Sequence, residues 1–266
     1  MKIYINTDLE GICSFVDRDE ANIKTARGIG YTKHFLTAEV NAAAEGILSA
    51  QPDCEITVLD GHGGGHWGAN MIAEELHPRI SLIHGKRGAE IVGLDSSFDL
   101  FMEIGAHSMA GTMHGVMNHT ISSKEIMNVW LCGEKIGEIG IRAAIAGHYG
   151  VPVALVSGDF WAVEEAKALL GDIEGVSVKK GINAFTANCL NPLEARKLIK
   201  EAARAAVLGR RRFTPYIVKT PAEIKIEYMQ THFADRAQNS GAKRIDGRTV
   251  SFIGDDLIRV LDTVNR

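Results

Sequence analysis

Short apolar runs of strand type alternate with stretches of helical periodicity through most of this chain. Residues 2–7 read as a strand, and residues 36–49, rich in Ala with Leu36, Val40 and Ile47 on one face, as a helix that returns to the core. Cys54-Glu-Ile-Thr-Val-Leu-Asp60 has the β-branched content of a second strand, and the glycine run after it marks the turn at its C-terminal end. A helix over 70–77 leads to a strand at 80–83, and a further strand is expected at 98–104. A helix over 138–148, a buried strand at 151–157 and a helix over 160–170 follow. Met127-Asn-Val-Trp-Leu-Cys132 and the segment up to Gly137 predict a hairpin turned at Gly133-Glu134. Strands alternating with helices predict an α/β fold: a mostly parallel sheet with right-handed crossovers, flanked by helices in three layers.

From residue 190 the texture changes. A helix over 192–207 gives way to a connector with Pro215 and Pro221, then strands at 223–228 and 248–254 and a short helix over 255–264. The expected division is therefore an α/β core over 1–189 and a smaller α+β extension over 190–266 packed on it as a cap.

Composition narrows the function. With 266 residues, 45% of them hydrophobic, the chain can bury a large core, which excludes a disordered or fibrous protein. A formal net charge of -4, with Lys and Arg scattered apart from Arg210-Arg211-Arg212, argues against nucleic acid or anionic lipid as partner. The amino-terminal stretch turns polar at Asn6 to Asp8, too soon for the apolar region of a signal peptide, so a cytoplasmic location is expected. Cys13, Cys54, Cys132 and Cys189 are far apart and without a Cys-x-x-Cys pair, which predicts reduced, mostly buried thiols rather than disulfides or a thiolate metal site.

The candidate chemistry sits at strand ends. Asp8 and Glu10, two residues apart where the first strand runs out, aim their carboxylates the same way. His62 follows the second strand and His107 the strand at 98–104, and Glu138 opens a helix directly after Gly137. C-terminal strand ends of an open parallel sheet border the crevice where ligands bind. Oxygen and nitrogen donors without sulfur suit Zn²⁺ or Mn²⁺, and a carboxylate can bridge two ions. Singly, each residue has a simpler reading: a loop carboxylate, a turn histidine, an acid favoured by the helix dipole. His119, in Gly115-Val-Met-Asn-His119, could serve as base, nucleophile or oxyanion stabiliser, or simply donate to a loop carbonyl. His66 and His114 are at most lining residues, and Asp159 is a candidate for holding a substrate amino group or a ligand histidine, or else caps the helix that follows it. Gly61-His62-Gly63-Gly64-Gly65-His66 follows a strand but places His66 where a dinucleotide fingerprint needs its last glycine, so no organic cofactor is expected.

Taken in order, Asp8-Leu-Glu-Gly-Ile12, Asp60-Gly-His62, Gly105-Ala-His107, Gly115-Val-Met-Asn-His119, Ile136-Gly-Glu-Ile-Gly140 and Val156-Ser-Gly-Asp159 resemble the D-aminopeptidase family of dinuclear zinc peptidases, self-compartmentalising enzymes associated with dipeptide uptake. The resemblance implies two zinc ions per chain, bridged by Asp8 and completed by Glu10, His62, His107 and Glu138, with His119 as the catalytic group. It implies a cytoplasmic metallo-aminopeptidase that removes an N-terminal residue, a D-amino acid such as D-Ala, from short peptides or amides through a metal-activated water. It also implies a homo-oligomeric ring, a pentamer or a decamer. The glycine run at 63–65 and the segment after Arg210 depart from the family pattern, which leaves substrate choice open. Two other readings of the same residues are a metal-dependent phosphoesterase or non-peptide amidohydrolase, and a non-catalytic metal- or peptide-binding ring subunit.

Overall fold

The computed structural model describes residues 1–17, 26–65, 69–86 and 88–265. In chain order its strands are β1 (Lys2–Thr7), β2 (Glu55–Leu59), β3 (Ile80–Ile83), β4 (Leu100–Ala106), β5 (Ile126–Leu131), β6 (Glu134–Ile136), β7 (Val153–Asp159), β8 (Glu174–Asn183), β9 (Thr186–Cys189), β10 (Ala222–Tyr228), β11 (Lys243–Arg244) and β12 (Thr249–Gly254). Its helices are α1 (Ala26–Ala50), α2 (Glu138–His148), α3 (Phe160–Leu170), α4 (Pro192–Leu208), α5 (Thr231–Asn239) and α6 (Leu257–Leu261).

Seven strands form the main sheet in the order β3-β2-β1-β4-β7-β8-β9, parallel throughout except for the antiparallel pair β8-β9. Strands β4 and β7 are buried at every position and β1 from Ile3 onward, as parallel strands covered on both faces must be. Helix α1 packs against α4, and α2 against α3 and α6, so the sheet is flanked by helices as the alternation predicts. The chain winds outward from β1 through β2 to β3, then returns to start again at β4 on the other side of β1. The strand order therefore reverses between β1 and β4, which is where such sheets open a crevice at their C-terminal ends.

A second, antiparallel sheet has the order β11-β12-β10-β5-β6. In β10, Ala222, Ile224, Ile226 and Tyr228 are buried while the residues between them are partly exposed, the alternation of a sheet with one covered face. Of residues 190–266, α4 lies against α1, and β10 to β12 build onto β5 and β6. Among the described residues no helix is long and apolar enough to cross a membrane.

The β5-β6 hairpin turns at Cys132-Gly133, one residue earlier than expected, and four further differences stand out. The helix expected over 70–77 is reduced to a 3-10 turn at Ala73–Glu75. Side chains of α1 capture its amides, Thr37 Oγ1 accepting from Ile72 N and Asn41 Oδ1 from His77 N, and Pro78 disfavours helical backbone at His77. Helix α1 starts at Ala26, well before the expected residue 36. The β8-β9 hairpin and α5 answer to no clear periodicity in the sequence.

Candidate metal centre

Asp8, Glu10, His62 and His107 stand just past the ends of β1, β2 and β4, at the reversal of the strand order. The turn leaving β1 is laced to β4: Asp8 N donates to Ile104 O at 2.8 Å and Gly11 N to Gly105 O at 2.8 Å. That approach needs glycine twice. A Cβ on Gly105, whose φ is +85°, would come within 2.0 Å of Asp8 O, and one on Gly11 within 1.9 Å of Ala106 O. Glu138 arrives from the second sheet, as the first residue of α2 behind the β5-β6 hairpin.

Three histidines face this cluster in the same way. Nδ1 of His107 donates to Ser108 O at 3.1 Å, and Nδ1 of His119 to Met117 O at 2.8 Å. Nδ1 of His62 donates to Asn70 Oδ1 at 3.2 Å. These oxygens can only accept, so the Nδ1 protons are fixed and each Nε2 points at carboxylate. His62 Nε2 lies 3.2 Å from Glu10 Oε1, His107 Nε2 3.3 Å from Glu138 Oε1 and 3.6 Å from Asp8 Oδ2, and His119 Nε2 3.7 Å from Glu138 Oε1. The His107 and His119 rings stack with centroids 4.0 Å apart. Ligand atoms of His107, His119 and Glu138 all lie within 4.8 Å of one another, and so do those of Asp8, Glu10 and His107. Two adjoining donor groups thus share His107, with His62 beside Glu10.

The negative charge here is held by one buried cation. Arg142 Nη1 donates to Asp8 Oδ2 at 3.0 Å and to Glu103 Oε1, Nη2 to Glu138 Oε2 at 2.6 Å, and Nε to Glu90 Oε1 at 2.8 Å. Burial would raise Glu138, but His107 and Arg142 hold its carboxyl well below the usual carboxylate range. Burial raises Asp8 to about 7 against the pull of Arg142, with Glu10 adding to the rise. Burial opposes the charge on His62 and His107, yet Glu10 and Glu138 respectively raise them to about 9 and about 10. His119 goes the other way, to about 4, through burial and then the neighbouring His107. Imidazoles that bind protons so tightly beside carboxylates form a pocket suited to a dication, and the donors are the hard oxygens and borderline nitrogens that zinc accepts.

The structure brings Asp8, Glu10, His62, His107, Glu138 and His119 together. It also gives His119 a ligand-like place, within the same triad as His107 and Glu138. The loop carrying it is strained: His114, Met117 and Ile121 all have positive φ, at 64°, 48° and 62°. For β-branched Ile121 this costs on the order of 1–3 kcal/mol, and its amide is thereby turned to donate to Glu138 Oε1 at 2.7 Å. His114 is exposed and turned to the hairpin, its Nδ1 donating to Ile182 O at 2.8 Å. Asp159 is buried at the end of β7 and makes no side-chain cap for α3. His66 lies outside the described residues. Cys13 and Cys54 are buried and Cys132 exposed, all unpaired, and burial raises the Cys13 thiol, which disfavours a reactive thiolate.

Two supporting residues escape a reading of sequence alone. Arg142 lies four residues after Glu138, on the same helix face, and as the only strongly charged residue between Glu138 and His148 it stands out in an apolar helix. Asn70 carries His62 and is itself held by Asp60, accepting its N and Nδ2 protons at 2.8 and 2.7 Å. Nothing in its surroundings along the chain marks it.

Fold and donor set together define an α/β protein with a buried histidine–carboxylate centre at its topological switch point. Comparison with known proteins gives the family. The D-aminopeptidase family profile matches residues 1–266. A D-aminopeptidase of Bacillus subtilis (strain 168) is 31% identical over 258 residues, 94% of this chain and 88% of the relative. Among solved structures, a Zn-dependent D-aminopeptidase from Bacillus subtilis, described as a self-compartmentalizing protease, superposes with a TM-score of 0.93 at 28% identity, covering 100% of this chain and 96% of that one. The chain belongs to the D-aminopeptidase family.

Proposed function

We propose that this protein is a zinc-dependent aminopeptidase that holds two zinc ions per chain and removes an N-terminal D-amino acid, such as D-Ala, from short peptides or amides. The observation that carries this reading is the pair of adjoining donor groups sharing His107, built from the positions that match a family with a zinc-dependent member. Asp8, Glu10, His62, His107 and Glu138 would hold the ions. Bound there, zinc supplies a water acidic enough to act at neutral pH and a Lewis acid for the scissile carbonyl.

The chain's own residues do the rest. Arg142 holds Asp8 Oδ2, the oxygen that also faces His107, and Glu138 Oε2, so that ligands from β1 and α2 keep one geometry. His119 is neutral at working pH, with its Nδ1 proton committed to Met117 O, and it offers the Nε2 lone pair to a proton or to the carbonyl carbon. Burial of Asp8, Glu10, His107 and Glu138 keeps bulk water from these charges. Residues 1–189 act as the catalytic unit and 190–266 as its cap, in a cytoplasmic homo-oligomer whose ring encloses the sites. The self-compartmentalizing relative supports the assembly.

The test is zinc quantification on the purified protein alongside hydrolysis of paired D- and L-alanyl amides and dipeptides. Close to two zinc ions per chain and a preference for the D-substrates are expected. Full activity after exhaustive chelation would sink the metal reading, and preference for the L-series would sink the specificity.

A further inference from the structure

Lys179 is a buried charge for which the metal chemistry has no use. It lies on β8, two strands away from β4, and is 1% exposed. Its Nζ donates to three main-chain carbonyls: Glu10 O at 2.5 Å, Ile12 O at 2.9 Å and Phe15 O. An ammonium has three protons, so these acceptors satisfy it completely, as a buried cation requires. All three belong to the turn that leaves β1 carrying Asp8 and Glu10. The same turn gives its Cys13 amide to Glu39 Oε1 at 2.8 Å.

Asp159 is the register partner of Lys179 on β7. Partners on adjacent strands direct their side chains to one face of the sheet. The Asp159 carboxylate is fully buried, and neither oxygen has a hydrogen bond of regular geometry among the described residues, although the amides of Val116, Gly181 and Trp161 lie against it. Burial lowers Lys179 to about 8, and Asp159 is the strongest influence keeping it charged.

We propose that Lys179 is a positioning residue: by gathering three carbonyls it fixes the 10–15 turn and with it the aim of Glu10 at His62, while Asp159 serves as its counter-charge rather than as a substrate ligand. The two ligands on this turn differ in what holds them. Asp8 is tied independently, through its amide to Ile104 O and through its carboxylate to Leu9 N and Arg142. The peptide joining Glu10 to Gly11 donates its amide to Gly105 O at 2.8 Å, while its carbonyl, with those of Ile12 and Phe15, accepts from Lys179. Removing the ammonium therefore loosens the Glu10–His62 end and spares the His107–Glu138 end. The consequence for metal rests on the zinc reading; the consequence for the turn does not.

Hydrogen–deuterium exchange on the purified full chain, before and after chelation, joined to zinc titration against a competing chelator, tests this. Lys179→Met is expected to raise exchange at the Gly11, Ile12 and Cys13 amides about tenfold or more, with α2 and β10 unchanged, and to weaken one zinc ion by about 10–100-fold while the other keeps its affinity. Unchanged exchange in the turn overturns the proposal. So does a general rise across the chain with both ions weakened alike, which is the signature of a merely structural lysine. Asp159→Asn keeps the packing and the ammonium and carries the test should Lys179→Met not fold. It is expected to move both readouts in the same direction by less, with KM unchanged. A raised KM with exchange and zinc affinity untouched would make Asp159 a substrate ligand and overturn its part. A parent protein that takes up no zinc pair defeats the metal reading, and the exchange in the turn still decides the role of Lys179.

Discussion

His107, His119 and Glu138 are buried, whereas His62 meets Glu10 at an edge and begins a short 3-10 turn, His62–Gly65. The side chain of His107 is 2% exposed and that of His62 is 19%. At the closed end each ligand is held by rigid parts: Glu138 by Arg142 and the Ile121 amide, His107 by Ser108 O, His119 by Met117 O. At the open end the support of His62 Nδ1 among the described residues is one amide side chain, Asn70. If two ions bind as proposed, the difference in support is expected to make the closed end the tighter of the two.

The variant with the largest expected effect erases the contrast. Asp8→Ala removes a proposed ligand that also holds Arg142 against Glu138; zinc content should fall toward zero and activity with it, a loss approaching the whole rate enhancement, about 10⁶-fold or more. Next, His119→Ala separates binding from chemistry at the closed end. Two zinc ions retained, with kcat lowered by about 10²–10⁴-fold, is expected of a catalytic group; loss of one ion would reassign His119 as a ligand. Asn70→Ala addresses the open end alone. One ion should weaken by about 10–100-fold in chelator competition while the other is unaffected, and equal weakening of both would refute the inequality.

The last test concerns stability and leaves the chemistry alone. Glu39, buried beneath the turn, is raised by burial from 4.5 to about 7. A carboxyl whose native pKa exceeds its unfolded one stabilises the native state fully below the unfolded value and loses that contribution as pH rises through the native value. Glu39→Gln is uncharged throughout, so its stability relative to the parent, followed by Tm, should climb from about pH 5 to about pH 8.5, toward a limit of about 3 kcal/mol. A pH-independent difference between the two would show that Glu39 does not titrate there.

How much of this was legible in the sequence follows from what each residue depends on. Buried parallel strands announce themselves as apolar runs because both faces are covered, and a residue just past such a run must lie at a sheet edge; Asp8, His62 and His107 were therefore readable from local pattern. Helix α2 was readable to the residue, its start set by Gly137 and Glu138. The supports were not. Lys179 acts on a turn far away in sequence, and Asn70 reaches His62 only because residues 70–77 do not form the helix that their composition suggests. The positive φ of Ile121 is imposed by surrounding packing on a residue that would avoid it, so no propensity could reveal it.

Arg142 has one more consequence. Because a guanidinium already bridges Asp8 and Glu138, the carboxylates from two sheets are reconciled by the polypeptide itself. In a small zinc-dependent module the ion is what makes the chain fold; here Arg142 already ties Asp8 to Glu138, so removing the proposed zinc is expected to abolish activity without unfolding the chain, which melting curves recorded with and without chelator would check.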